Sequence, residues 1–168
     1  MRQGFRIAAI GECMVELARA GGETGLYERR YGGDTLNTAV YLARLLRPHG
    51  VAIHYVTRLG DDAISQWMID GWMTEGIDVS LVQRVKGRLP GLYMIDTDAR
   101  GERSFTYWRG EAPVRQMFGT GDDPHFSALL AFDLHYVSGI TFAILSGEGR
   151  ERLAGLMASA KAAGRMVA

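Results

Sequence analysis

Apolar residues recur along this chain with two different periods, and the points where the period changes mark the elements. Phe5 to Ile10 is a short, nearly continuous apolar run closed by Gly11, the pattern of a strand buried on both faces. Glycines and charges from Ala20 to Gly33 predict turns or short exposed strands. From Thr35 to Leu46 the positions Leu36, Ala39, Val40, Ala43 and Leu46 keep a helical spacing, which Pro48 and Gly50 end. Val51 to Thr57 is apolar and β-branched, a second core strand. Asp61 and Asp62 are candidate caps for a helix that carries Ile64, Trp67, Met68 and Met73 and closes at Gly76.

The rhythm then changes. Residues 91 to 109, "GLYMIDTDARGERSFTYWR", place two aromatic-rich runs around a polar turn, a hairpin signature. A loop with Pro113, Gly119, Gly121 and Pro124 leads to a short helical stretch. Leu134 to Ser138 reads as a third buried strand, and Ser146 as the cap of a helix through Leu153, Leu156 and Met157 to Ala163, with Gly164 just past its end. Core strands alternating with helices imply a parallel sheet covered by helices. The hairpin and residues 12 to 33 do not fit that alternation and predict a smaller sheet standing off the main one. The closing "GRMVA" begins another apolar run, as if a further core strand starts there.

Composition narrows the chemistry. Nineteen basic residues balance nineteen acidic ones, so no global field attracts nucleic acid or an anionic membrane. No apolar stretch has the length of a membrane span, and the opening run is too short for a signal peptide. The single cysteine, Cys13, cannot form an internal disulfide and reads as a small buried thiol in a reducing, cytoplasmic setting. The four histidines show no i, i+4 pairing and no cysteine partners, so no metal site is predicted. Neither a Walker loop, a dinucleotide fingerprint nor a G-x-S-x-G elbow is present, which leaves an NAD-binding domain without support.

Two stretches remain. In "YGGDTLNTAVYLARLL" two glycines stand at the mouth of a helix, with Asp34 and Asn37 sharing a face near its start. Either Asp34 caps a helix after a tight turn, or the glycines let a ligand lie against backbone N–H groups. In the hairpin, alternation puts Phe105, Tyr107 and Arg109 on one face and Ser104, Thr106 and Trp108 on the other, with Tyr93 in the facing strand. A phenol beside a guanidinium suits a ligand with a hydroxyl and a carboxylate; an exposed aromatic pair with a solvated Arg fits the same pattern. Glu12 and Glu16 follow the first strand, where open parallel sheets bind ligands, yet they do not read as an acid/base couple.

These segments together resemble the ribokinase-like (PfkB) carbohydrate kinases: "IGECMVEL", "YGGDTLNTAVYLARLL", "HYVTRLGDD", "RLPGLYMIDTDARGERSFTYWRGEA" and "YVSGITFAILS". "RLPGLY" with "YWR" points to the branch that acts on keto-deoxy sugar acids. The resemblance implies an α/β fold, an αβα core with a parallel central sheet and a small β-sheet lid that contributes to a homo-oligomer interface. On that pattern the chain is the N-terminal part of one kinase domain, cut mid-fold. Core segments run from about 1 to 11, 34 to 88 and 111 to 168, and lid segments from about 12 to 33 and 89 to 110. The implied reaction is ATP- and Mg2+-dependent phosphorylation of the terminal hydroxyl of a small sugar acid, 2-keto-3-deoxygluconate. Substrate would meet Gly33, Asp34, Thr35, Leu36 and Asn37, with Tyr93, Tyr107, Trp108 and Arg109 completing the pocket from the lid. The family's Gly-Ala-Gly-Asp motif, which carries the catalytic base, is absent, so the resemblance implies no activity for these residues alone. A family kinase for another sugar such as fructose or ribose, and a non-catalytic sugar-acid-binding or dimerisation fragment, are the competing readings.

Overall fold

The computed structural model describes residues 4–20, 25–119 and 126–168. The predicted loop positions Gly121 and Pro124, residues 21–24 of the predicted turn region, and His125 lie outside the described residues.

The main sheet has five strands, all parallel, built around β1 (Arg6–Ile10). Its order is β5-β4-β1-β8-β9, with β4 at Ala52–Gly60, β5 at Val82–Val85, β8 at Leu134–Val137 and β9 at Met166–Val167. Because side chains alternate along a strand, β1 feeds two cores. Ile7 and Ala9 pack with Tyr55, Leu36, Ala39, Met68 and Trp72 on one face. Ala8 and Ile10 pack with Phe118, Leu129, Leu153 and Leu156 on the other. The first face is covered by α1 (Asp34–Leu46) and α2 (Ala63–Thr74); the second carries α3 (Phe126–Leu129), α4 (Gly139–Ile144) and α5 (Gly147–Ala162). This is a three-layer αβα core.

The ends of α2 and α5 follow their sequence signals, whereas α1 starts from Gly33 with no side-chain cap, so Asp34 does not cap it. Asp62 accepts hydrogen bonds from the Ile64 and Ser65 N–H groups at the start of α2, and Ser146 accepts from Gly149 N at 3.1 Å at the start of α5. Past the ends of α2 and α5, Gly76 and Gly164 take φ of +79° and +73°, backbone that a side chain resists.

The smaller sheet is four-stranded, in the order β3-β2-β6-β7, with β2 at Met14–Arg19, β3 at Tyr27–Gly32, β6 at Leu92–Thr97 and β7 at Arg103–Trp108. β6 and β7 form the predicted hairpin, and β2 joins the two hairpins by pairing parallel to β6. Tyr31 fastens this sheet to the core: its ring meets Trp67 edge-on at 5.1 Å and Trp72 at 6.4 Å. Along β7 every side chain from Arg103 to Trp108 is exposed.

Candidate functional site

The site forms where β1, α1 and the small sheet meet. β1 ends at Ile10, and the chain crosses through Gly11, Glu12 and Cys13 into β2. The start of α1 tucks directly beneath that crossing. A Cβ on Gly33 would overlap the Glu12 carbonyl oxygen and lie 3.1 Å from Cys13 Cα; one on Gly32 would lie 2.7 Å from the Tyr93 hydroxyl. The two glycines therefore make room first for the protein's own chain, with the lid tyrosine and the crossing strand brought against the helix mouth.

The helix start then distributes its side chains by the 3.6-residue period. Asp34 is half-buried and its Oδ1 accepts the Thr35 N–H at 2.8 Å. Thr35 and Leu36 turn into the core, where Thr35 Oγ1 lies 3.1 Å from the Tyr55 hydroxyl. Asn37 is exposed, and its N–H bonds the Gly33 carbonyl at 2.8 Å. Of this run, Asp34 and Asn37 are the side chains not spent on the core.

Across from them, one face of the small sheet collects Glu16, Tyr93, Phe105 and Tyr107. The register sets Glu16 beside Tyr93 and Tyr93 beside Tyr107. The Tyr93 hydroxyl donates a short hydrogen bond to Glu16 Oε2. Burial and the Glu16 carboxylate both push the Tyr93 phenol well above its ordinary range, so it remains a donor. Tyr93 and Tyr107 rings are 5.9 Å apart, and the Arg109 guanidinium lies 5.8 Å from the Tyr107 ring centre. Arg109 in turn donates from Nη2 to Glu12 Oε2 in an ion pair. Glu12 is 4% exposed; burial raises its carboxyl pKa, and Arg109 offsets part of that rise.

Trp108 stands apart. The pleat turns it to the opposite face, where it lines a cavity of about 520 Å³ with Val15, Ile64, Leu89, Pro90 and Leu92. Cys13 is buried, and burial pushes its thiol well above its ordinary value, so it is no nucleophile. Among the described residues no group of three or more His, Cys, Asp or Glu side chains is placed to hold a metal ion. No described helix is long and apolar enough to cross a membrane.

Glu12 and Glu16 are the site residues that spacing does not single out. Their signal was position alone: both follow the carboxyl end of β1, where ligands of open parallel sheets bind. Their partners lie 97 and 77 residues away.

A parallel αβα core, a four-stranded lid and a glycine-started helix facing a tyrosine–arginine cluster define a sugar-kinase type of architecture. The family comparison agrees: residues 5–168 match the pfkB family carbohydrate kinases, and the chain belongs to that family. It is 48% identical over 163 residues to the 2-dehydro-3-deoxygluconokinase of Escherichia coli (strain K12), covering 96% of this chain and 52% of that protein. It is 46% identical over 162 residues to the enzyme of the same name from Dickeya dadantii (strain 3937), covering 96% and 51%. Among solved structures, the 2-dehydro-3-deoxygluconokinase of Thermotoga maritima shares the fold, with a TM-score of 0.82, 20% identity, and coverage of 97% of this chain and 49% of that one. The chain thus spans about half the length of the curated relatives it matches.

Proposed function

We propose that this chain supplies the acceptor side of a kinase that phosphorylates the terminal hydroxyl of 2-keto-3-deoxygluconate. The observation that carries the reading is the convergence of Arg109, Tyr93 and Tyr107 beside the start of α1. A guanidinium at the end of a lid strand recognises a carboxylate with parallel hydrogen bonds, the group that separates a sugar acid from a neutral sugar. Gly33 abuts the Glu12 carbonyl and Asp34 repels the Glu12 carboxylate, so this helix start borders the Arg109 pair. On this reading Asp34 as an acceptor and exposed Asn37 as an amide serve substrate hydroxyls. Thr35 and Leu36 contribute by packing this helix start against the sheet, and Trp108 by supporting the far face of the lid.

The phosphoryl donor on this reading is ATP with Mg2+, which supplies the transferred group. Mg2+ in such a reaction is held mainly by the phosphates, by water and by one or two carboxylates; the work of the described residues on this reading is to bind and orient the acceptor. No catalytic base is assigned among them, and no ADP release is expected from this chain alone. Lid strand β7, exposed along its length, suits a contact between copies in the whole protein. A single buried cysteine, with no second one for an internal disulfide, fits the cytoplasmic setting of this reading.

A second reading has an observation of its own. Glu12 already neutralises Arg109, which favours a neutral sugar such as fructose or ribose in that place. Calorimetric titration of the chain separates the two, with 2-keto-3-deoxygluconate set against 3-deoxyfructose, where a hydroxymethyl group replaces the carboxylate. Tighter binding of the acid, lost in Arg109→Ala, supports the sugar-acid reading; equal binding of both ligands overturns it. ADP release measured with ATP and Mg2+ on the same sample separates an acceptor-binding half from a competent kinase.

A further inference from the structure

The Glu12–Arg109 pair is placed where an ion pair contributes least to stability. Taking a carboxylate out of water to 4% exposure costs more than a single pairing usually returns. The surroundings sharpen that cost. Among the described residues, Glu12 Oε1 and Arg109 Nε are both buried without a hydrogen-bond partner, and the Asp34 carboxylate adds repulsion. Arg109 and Arg115 provide the attraction.

The geometry around Glu12 is tightly constrained. Its carbonyl abuts Gly33, and a Cβ on Gly91 would come within 3.0 Å of its Oε1 and 3.2 Å of Arg109 Cβ. The preceding Gly11 N–H is tied to the Val56 carbonyl at 3.1 Å. The carboxylate is thus a fixed point, set by the main sheet rather than by the lid. From it, Oε2 engages only Nη2 of the guanidinium. Arg109 keeps 22% of its side chain exposed, and among the described residues Nη1 has no hydrogen-bond acceptor.

We infer that Glu12 is a positioning residue: from inside the fold it holds the Arg109 guanidinium by Nη2, so that the Nη1 edge is presented to the substrate carboxylate. This rests on the sugar-acid reading above. It also accounts for an Arg that is neutralised yet still selects an anion, since one guanidinium serves two carboxylates from two edges.

The test is a double-mutant cycle over Glu12 and Arg109, titrated with 2-keto-3-deoxygluconate and with 3-deoxyfructose. Glu12→Ala is expected to weaken acid binding about 10-fold or more, about 1.4 kcal/mol, while 3-deoxyfructose binding changes less than about 2-fold. Glu12→Gln, whose amide oxygen still accepts from Nη2, restores acid binding to within about 3-fold of wild type. In the Arg109→Ala background, Glu12→Ala adds no further loss. Equal weakening of both ligands, independent losses in the cycle, or no loss at all would each overturn the proposal. A second readout does not depend on the substrate. In 15N-labelled protein the Arg109 guanidinium resonances, assigned by their absence in Arg109→Lys, are expected as a resolved, restricted set that collapses in Glu12→Ala and persists in Glu12→Gln. If the wild-type chain binds no acid, the sugar-acid reading fails. The positioning of Arg109 then stands on that collapse, and falls if the resonances are unchanged in Glu12→Ala.

Discussion

One methyl group at Gly33 tests how the core and the lid are joined. Gly33 has an extended φ of −179°, which any residue adopts, so backbone preference plays no part in the outcome. Space decides it. The new Cβ would overlap the Glu12 carbonyl oxygen and approach Cys13 Cα to 3.1 Å, inside ordinary contact distance. Both neighbours are backbone, and neither yields as a rotamer does. Glu12 is held by its pairing with Arg109, and Gly11 by its bond to Val56. The helix start is held from the other side by buried Thr35 and Leu36. Relief therefore requires a shift of the β1–β2 crossing or of α1, and overpacking of this kind costs about 1–3 kcal/mol. For a chain of this size, about 2–4 °C of melting temperature accompanies each kcal/mol, so Gly33→Ala is expected to melt about 2–12 °C below wild type.

The same substitution in α5 supplies the opposite sign. Gly155 is exposed in a helix interior, and a Cβ there would meet nothing within 4 Å. Gly155→Ala is expected to stabilise by about 0.5–1 kcal/mol through helix propensity. Thermal melts of both variants, followed by circular dichroism under one buffer, check the pair. A Gly33→Ala protein melting at or above wild type would refute the close-approach argument, whatever the behaviour of Gly155→Ala.

Other substitutions probe separate terms. Asp62→Ala removes the α2 cap and is expected to cost about 1 kcal/mol near neutral pH by denaturant titration. The Asp62 carboxyl is held below its ordinary range because hydrogen bonds from Ser65 and Ile64 outweigh its burial. The folded state thus binds its proton later than the unfolded state, so the cap's contribution is full above the ordinary carboxylate range and fades as pH falls through the folded value. The gap between Asp62→Ala and wild type should close on that acid limb. Leu153→Ala, at a fully buried position, is expected to lose about 2–5 kcal/mol, whereas Leu45→Ala, 68% exposed, should stay within about 0.5 kcal/mol. Burial lowers the His54 pKa despite nearby Asp78, so below neutrality the unfolded state binds more protons and stability declines as the pH is lowered. His54→Gln should flatten the slope of melting temperature between about pH 7 and pH 5, around the ordinary histidine value.

What the sequence made legible, and what it hid, follows from range of interaction. The strands at Ile7, Ile53 and His135 and the helices at Leu36 and Met68 carry their own periodicity, and their caps are local chemistry at Asp62 and Ser146. β5 escaped the reading because its residues Val82–Val85 include Gln83 and Arg84, which an edge strand tolerates and a core-strand pattern does not announce. α4 escaped because Gly139–Ile144 is under two turns and depends on one cap, the Thr141 N–H bonded to Ser138 Oγ at 3.2 Å. The alternation of β7 did separate Trp108 from Tyr107 and Arg109. It said nothing of what either face meets. That Glu12 pairs with Arg109, and Glu16 with Tyr93, depends on β2 lying between β3 and β6, a topological fact that no spacing carries.

The same few atoms seat the lid and frame the site. Gly32 and Gly33 admit Tyr93 and the Glu12–Cys13 crossing; Glu12 reaches the end of β7 through Arg109, and Glu16 reaches β6 through Tyr93. On the proposed reading, a ligand carboxylate that engages Arg109 pulls on a side chain already anchored to the end of β1, and a ligand hydroxyl near Tyr93 meets a phenol already committed to Glu16. Recognition on this plan needs little rearrangement of those two groups, which lowers the ordering cost of binding. It also means that loss of affinity at Glu12, Tyr93 or Gly33 carries a stability component. The neutral-ligand comparison removes that component, because loosened lid seating weakens acid and neutral sugar alike while misdirected Arg109 weakens only the acid.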